Sequence, residues 1–165
     1  RALIIGDGET KEQLIAYLQQ KQLSYCLKPE ARTLFTFTSW IKEVYNALPG
    51  LDLVCLTSKN EGTPVSLIEA QACGIPVIAS RFSAQPEQVG AGWLVGGQRR
   101  WAPDLSAEVF TPSVLEIAAA IETAIGDGDR WFGDAVAFAQ RYDPAVHLDR
   151  RWQAALASPS WPAWS

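Results

Sequence analysis

The sequence contains no methionine, one histidine and three cysteines, and each scarcity argues against a class of chemistry. With His147 alone, neither a histidine-built zinc site nor a histidine-based catalytic triad is expected, and His147 reads as a surface or helix-face residue. Cys26, Cys55 and Cys73 are odd in number and lack C-x-x-C spacing. Cys55 and Cys73 fall within an expected strand and helix core, so the cysteines read as small buried hydrophobes in a reducing compartment. No apolar run approaches the roughly 20 residues that span a bilayer, and no leader pattern is recognised. A basic excess is missing as well. The net charge of −4, the pI near 5.0 and the want of a basic stripe interleaved with aromatics argue against a nucleic-acid partner. No Asp-x-Asp pair or histidine cluster is present, so neither a metal nor another cofactor is expected. The lack of methionine, with a buried-strand pattern Ala2-Leu3-Ile4-Ile5 directly behind Arg1, reads as a segment of a longer protein.

What is present is the composition of a soluble globular protein rather than a disordered tail, 48% apolar and 19% charged over 165 residues. One domain is expected over residues 1–157, followed by a tail at 158–165. Its organising stretch runs from Leu51 to Ser80. Leu51–Leu56 is an apolar, branched run of the kind that forms a strand buried in a parallel sheet. Thr57–Pro64 breaks that pattern. Thr63 reads as a helix cap with Pro64 in the first helical position, and the helix is expected over Val65–Ala72, with Leu67, Ile68 and Ala72 inward and Gly74 as its left-handed stop. Ile75–Ala79 is the next buried strand. The unit is βαβ, and the fold expected is a Rossmann-like parallel sheet with helices on both faces.

In such a unit the turn after the first strand lies at the carboxyl edge of the sheet, where open α/β folds bind ligands. Glu61 lies in that turn, and the start of the following helix offers unpaired N–H groups and a positive dipole end suited to a diphosphate. Glu69 follows eight residues later, about a turn into the helix, where a carboxylate can accept hydrogen bonds from a vicinal diol such as a ribose. Taken singly, Glu61 reads as a dipole-compensating charge and Glu69 as a solvated helix face. Carboxylate, anion cradle and carboxylate on one edge together suit a nucleotide sugar.

The run from Glu61 through Gly62, Thr63, Pro64, Val65, Ser66, Leu67, Ile68 and Glu69 to Ala70, followed by Gly74-Ile75-Pro76-Val77-Ile78-Ala79-Ser80, resembles the E-x7-E donor segment of glycosyltransferase family 4. These are retaining transferases with the two-domain GT-B fold. The likeness extends more loosely from Leu3–Gly8, through Ala47–Asp52, to Gly92–Val95, and fades after about residue 125. The resemblance implies that the chain is the C-terminal half of a GT-B fold and the donor-binding domain of a transferase moving a hexose-like sugar from a nucleoside diphosphate to an acceptor hydroxyl. Glu61 is implied as the residue at the reaction centre, contacting hydroxyls of the transferred sugar. The segment from Gly62 through Thr63, Pro64 and Val65 to Ser66 is implied to bind the donor, the amides around Thr63 to Ser66 holding the diphosphate, with Glu69 on the ribose. Thr38 and Trp40 are implied beside the nucleotide base, although the spacing of Trp40 from Val44 reads instead as core packing. The implied partners are a nucleotide sugar and an acceptor-binding N-terminal domain ahead of Arg1; the Arg or Lys pair that neutralises the leaving diphosphate, at the start of the family's C-terminal domain, is implied to fall before Arg1 as well. Without that domain the chain is expected to be inactive. The implied setting is polysaccharide or glycoconjugate biosynthesis in the cytoplasm, with peripheral contact at the inner membrane face through the other domain. Two alternatives are a nucleotide-sugar epimerase on the same fold and a non-catalytic nucleotide-sugar-binding module.

Elsewhere the expectations are structural. Gly6-Asp7-Gly8 lacks the third glycine of a dinucleotide fingerprint, with Lys11 in its place, and launches a helix over Glu9–Lys21 carrying Leu14, Ile15 and Leu18. Leu34–Phe37 reads as a strand and Thr38-Ser39 as the cap of a short helix through Trp40, Ile41, Val44 and Tyr45. Lys59 reads as an exposed loop lysine. Phe82 and Ser83 stand where the family often has glycines. Gly92–Val95 reads as a strand and Gly96–Ala107 as a loop exposing Arg99, Arg100 and Trp101. Thr111-Pro112-Ser113 is expected to open a helix striped by Val114, Ile117, Ala118, Ile121 and Ile125 and ended by Gly126. Helices over Arg130–Gln140 and Asp143–Ala157 follow, with Trp152, Trp161 and Trp164 exposed beyond.

Overall fold

The computed structural model describes residues 1–27, 33–59 and 61–143. The expected last helix, His147, Trp152, Trp161, Trp164 and the tail lie outside these residues. The chain divides into two compact units, Arg1–Val44 and the residues from Tyr45 onward.

The first unit holds β1 (Ala2–Ile5), α1 (Lys11–Gln20), β2 (Tyr25–Cys26) and β3 (Phe35–Ser39), with the strands parallel in the order β1-β3-β2. Apolar Leu18 and Phe37 are its buried anchors. β1 sits at the edge of this sheet, and Ile5 is partly exposed rather than buried. The short helix expected after Thr38-Ser39 does not form. Thr38 and Ser39 continue β3, where the Thr38 hydroxyl donates to the Ile4 carbonyl (3.4 Å), and only a 3-10 turn follows at Val44–Asn46. Ser39 is left-handed (φ 56), a backbone state that cannot begin a helix, and its hydroxyl takes a hydrogen bond from Lys11. Trp40 is therefore not core: it is 80% exposed.

The second unit contains β4 (Val54–Leu56), α2 (Val65–Ala72), β5 (Val77–Ser80) and β6 (Gly92–Val95), parallel in the order β4-β5-β6. Every residue of β5 is buried, as the branched apolar run requires of a middle strand. β4 is shorter than expected and lies at the edge of this sheet, so Cys55 is exposed rather than core. Crowding by its neighbours nevertheless desolvates the sulfur and raises the thiol pKa, so the group is reachable but poorly ionised. Cys26 and Cys73 are half-buried.

Residues 97–112 are not a loop leading into a helix. They form an antiparallel hairpin of β7 (Gly97–Ala102) and β8 (Ala107–Pro112), on which Arg99, Arg100 and Trp101 are exposed as expected. The helix begins one residue after Ser113, whose hydroxyl accepts the Glu116 N–H (3.3 Å) while the Glu116 carboxylate accepts the Gly96 N–H (2.6 Å). This helix, α3 (Val114–Asp127), packs Ile117, Ala120 and Ile121 against Ile78, Val95, Leu53 and Trp93. Val114 and Ile125 of the expected stripe face solvent, Ala118 is exposed too, and the helix passes through Gly126 to stop at left-handed Gly128. α4 (Phe132–Ala139) follows and packs on α2.

Candidate functional site

Because β4, β5 and β6 run parallel, the segments that follow Leu56, Ser80 and Val95 leave the sheet at one edge. The turn at 57–64 carries Glu61 there, half-buried. The turn is held from outside itself: the Lys59 carbonyl accepts the Phe110 N–H (2.8 Å) and the Glu61 carbonyl accepts the Ser83 hydroxyl (2.9 Å). Lys59 is exposed.

The helix after the turn starts at Val65, with Pro64 rather than Thr63 at the cap position and no side-chain cap. A β-region hydroxyl residue would have capped the helix, but here the Val65 N–H turns back to the Thr63 carbonyl (2.9 Å) and the Leu67 N–H bonds the Pro64 carbonyl (3.0 Å). Among the described residues, the N–H groups of Gly62, Thr63 and Ser66 meet no protein acceptor. Three open amides next to the positive end of a helix form the physical basis of an anion cradle. Gly62, Thr63, Val65 and Ser66 are exposed and Pro64 is buried, so the open amides lie on an accessible stretch of chain.

Glu69 lies one turn into α2, half-buried, and lines a groove of about 340 Å³ with Ile68, Ala72, Val136, Ala139 and Tyr142. Ala72, expected inward, is exposed on this groove, and the buried positions of α2 are Leu67, Ala70 and Gln71. Gly74 ends the helix as expected, with φ 79. Seven of the residues singled out from sequence, from Glu61 through Ser66 with Glu69, thus lie on one turn and one helix. Thr38 and Trp40 belong to the first unit, where Thr38 is tied to the backbone and Trp40 presents a free aromatic face.

Sequence reasoning missed three residues that shape this edge. Gln71 is fully buried and ties α2 to the segment at 88–91. Gln85, also fully buried, accepts the Ser80 N–H (2.8 Å) and so fixes the end of β5. Ser83 was noticed only as a replaced glycine; its left-handed backbone (φ 55) is the signal that such a position prefers glycine. Among the described residues no group of three or more His, Cys, Asp or Glu side chains is placed to hold a metal ion, and no helix is long and apolar enough to cross a membrane.

Comparison with known proteins bears on the same segment. The family described as glycosyl transferases group 1 matches residues 1–125. The amylovoran biosynthesis glycosyltransferase AmsK of Erwinia amylovora is 31% identical over 124 residues, covering 70% of this chain and 27% of that protein. The D-inositol 3-phosphate glycosyltransferase of Actinosynnema mirum is 34% identical over 96 residues, covering 55% of this chain and 22% of that protein. Among solved structures, Anabaena Alr3699/HepE in complex with UDP and glucose superposes with a TM-score of 0.68 at 23% identity, covering 94% of this chain and 40% of the other. The chain therefore spans less than a third of the length of these two curated relatives.

Proposed function

This chain belongs to the group 1 glycosyl transferases, with an α/β architecture like that of GT-B enzymes, and from that premise we propose that it is the donor-binding part of a retaining hexosyltransferase. What supports the reading is the order of chemical groups along one turn and the helix that follows it: the Glu61 carboxylate, the open amides of Gly62, Thr63 and Ser66, and the Glu69 carboxylate. That order matches a nucleoside-diphosphate sugar taken as sugar, diphosphate and ribose. A HepE structure described as a complex with UDP-glucose supports the class of ligand.

In this reading the sugar hydroxyls bond to Glu61, and the oxocarbenium-like centre develops above it. The leaving diphosphate gains charge as the glycosidic bond breaks. That charge is taken by fixed amide dipoles, which need no reorganisation at the moment of reaction, rather than by a resident metal ion. Glu69 orients the donor through the ribose diol. An acceptor-binding domain supplies the other substrate and excludes water, so the chain by itself binds donor without turning it over. The work takes place in the cytoplasm, peripheral to the inner membrane face, in the building of a polysaccharide or glycoconjugate.

Calorimetric titration of the chain with UDP, GDP and ADP tests the reading. One diphosphate is expected to bind, and Glu69→Ala to weaken it by roughly tenfold or more, the scale of a lost hydrogen bond to a charged group. Equal affinity of the variant, or no binding of any diphosphate, would sink it.

A further inference from the structure

The backbone that carries Glu61 is located by groups outside its own turn. Ser83 sits in the left-handed region (φ 55), where a serine is strained and a glycine is not. What holds Ser83 in place is its surroundings. The Arg81 N–H bonds the Val95 carbonyl (2.8 Å), and the Phe82 ring is nearly buried in a parallel stack on Phe110, with centroids 5.2 Å apart and an interplanar angle of 6°. The Arg99 guanidinium covers the same Phe82 ring at 5.5 Å. From that fixed base the Ser83 hydroxyl reaches the Glu61 carbonyl (2.9 Å), while Phe110, the stacking partner, uses its own N–H to bond Lys59 (2.8 Å). The two tethers bracket the residue before Glu61 and meet in one aromatic stack. Among the described residues, the Glu61 carboxylate itself has no hydrogen-bond partner.

Resting on the donor-site reading above, we propose that Ser83 is a positioning residue for Glu61: its hydroxyl fixes the turn so that the carboxylate meets the transferred sugar, and the strained backbone is kept because the hydroxyl is needed there. Carboxylate recognition of a sugar diol tolerates only small displacements, so a turn released at one end loses orientation before it loses its fold. Of the groups assigned to the nucleotide, Glu69 and the Ser66 amide sit on α2, beyond this tether, whereas the Gly62 amide shares the tethered peptide. Ser83 therefore bears on the sugar through Glu61 and on the diphosphate through Gly62, and the ratio of UDP-glucose to UDP affinity isolates the sugar.

Two variants separate the hydroxyl from the strain. Ser83→Gly removes the hydroxyl and relieves the backbone, whereas Ser83→Ala removes the hydroxyl and keeps the strain. In the chain without ligand, amide hydrogen exchange at Val65 and Phe110, whose N–H groups bond the Thr63 and Lys59 carbonyls of this turn, is expected to rise roughly three- to tenfold in both variants, the range of one net hydrogen bond, while the thermal midpoint of Ser83→Gly stays at or above that of the parent. The affinity for UDP-glucose relative to UDP is expected to fall roughly threefold or more in both. Introduced into Glu61→Gln, the same changes should leave that ratio where Glu61→Gln alone puts it. Unchanged exchange at Val65 and Phe110 would overturn the tether, and raised exchange with an unchanged UDP-glucose to UDP ratio would overturn its link to the sugar. If the parent chain binds neither ligand, the donor-site reading fails, and the exchange of the two amides still decides whether Ser83 holds the turn.

Discussion

Gln71 has no exposed surface and uses every polar atom it carries. Its Nε2 donates to the Leu67 carbonyl (2.8 Å) and the Gln88 carbonyl (2.7 Å), and its Oε1 accepts the N–H groups of Gly90 (2.8 Å) and Ala91 (3.0 Å). Gln71→Leu fills the same volume and leaves those backbone groups without a partner, so a loss of about 3 kcal/mol in unfolding free energy is expected, read as a lower urea midpoint. A midpoint shift below about 0.5 kcal/mol would mean that water replaces the side chain. In the first unit, Asp7 has its carboxyl pKa held below the ordinary value of 3.8, chiefly by its hydrogen bond from the Lys11 ammonium. A depressed carboxylate contributes stability that is present above its unfolded pKa and lost as pH falls through the lower folded value. Lys11→Met should therefore lower stability slightly above about pH 4, where the pair is formed, and flatten the acid limb below it, leaving stability at the acid end unchanged. At this scale the sequence shows residue types but not their partners. That Glu61 stands in a turn and Glu69 on the helix after it was legible because Pro64 and Gly74 mark the two ends of that helix. Gln71 was not, since a buried glutamine looks like a solvated one until the loop at 88–91 closes over it. Cys55 and Trp40 misled for the same reason, an apolar neighbourhood in sequence standing for burial that an edge strand and a left-handed Ser39 do not provide.

Among the elements, the most legible were those whose hydrophobic period and stop signals agree. Val65–Ala72 was located to the residue because a proline precedes it and Gly74 follows. β5 and β6 were clear from their branched apolar runs. The hairpin was hidden because β7, Gly97 to Ala102, is polar and exposed along nearly its whole length, so its ladder rests on backbone pairing that leaves little alternation to read. α3 was found with Ile117 and Ile121 inward as expected, but Val114, Ala118 and Ile125 are exposed and Ala120 completes the buried face in their place. Two glycines separate strain from collision. Gly92 (φ 141) faces Val77 in the parallel register, and an added Cβ would lie 1.9 Å from the Val77 carbonyl oxygen. Neither backbone can yield without breaking the β5–β6 ladder, so Gly92→Ala is expected to cost about 3 kcal/mol or more and to lower the thermal midpoint sharply. At Gly74 (φ 79) the obstacle is the Phe132 ring, which is mostly exposed and can swing outward. Gly74→Ala should therefore cost only the left-handed strain, about 1–2 kcal/mol. Equal losses at the two positions would show that the ring is not free to move.

At the scale of the whole molecule, the family is established over residues 1–125 while the chain spans 30% or less of the curated relatives' length. Fold class and family were readable because one strand-turn-helix-strand segment concentrates the signals of both. The separation into two units was not readable, since each unit repeats the same alternation of parallel strands and helices and no linker composition marks Val44. The claim on which the account depends is that the donor lies along the Glu61 turn and the first turn of α2. Hydrogen exchange of the chain with and without UDP-glucose measures this directly. Protection is predicted at the amides of Gly62, Thr63 and Ser66 and through Glu69, with β7 and β8 unchanged. Binding that leaves residues 61–69 unprotected and protects another surface would contradict it.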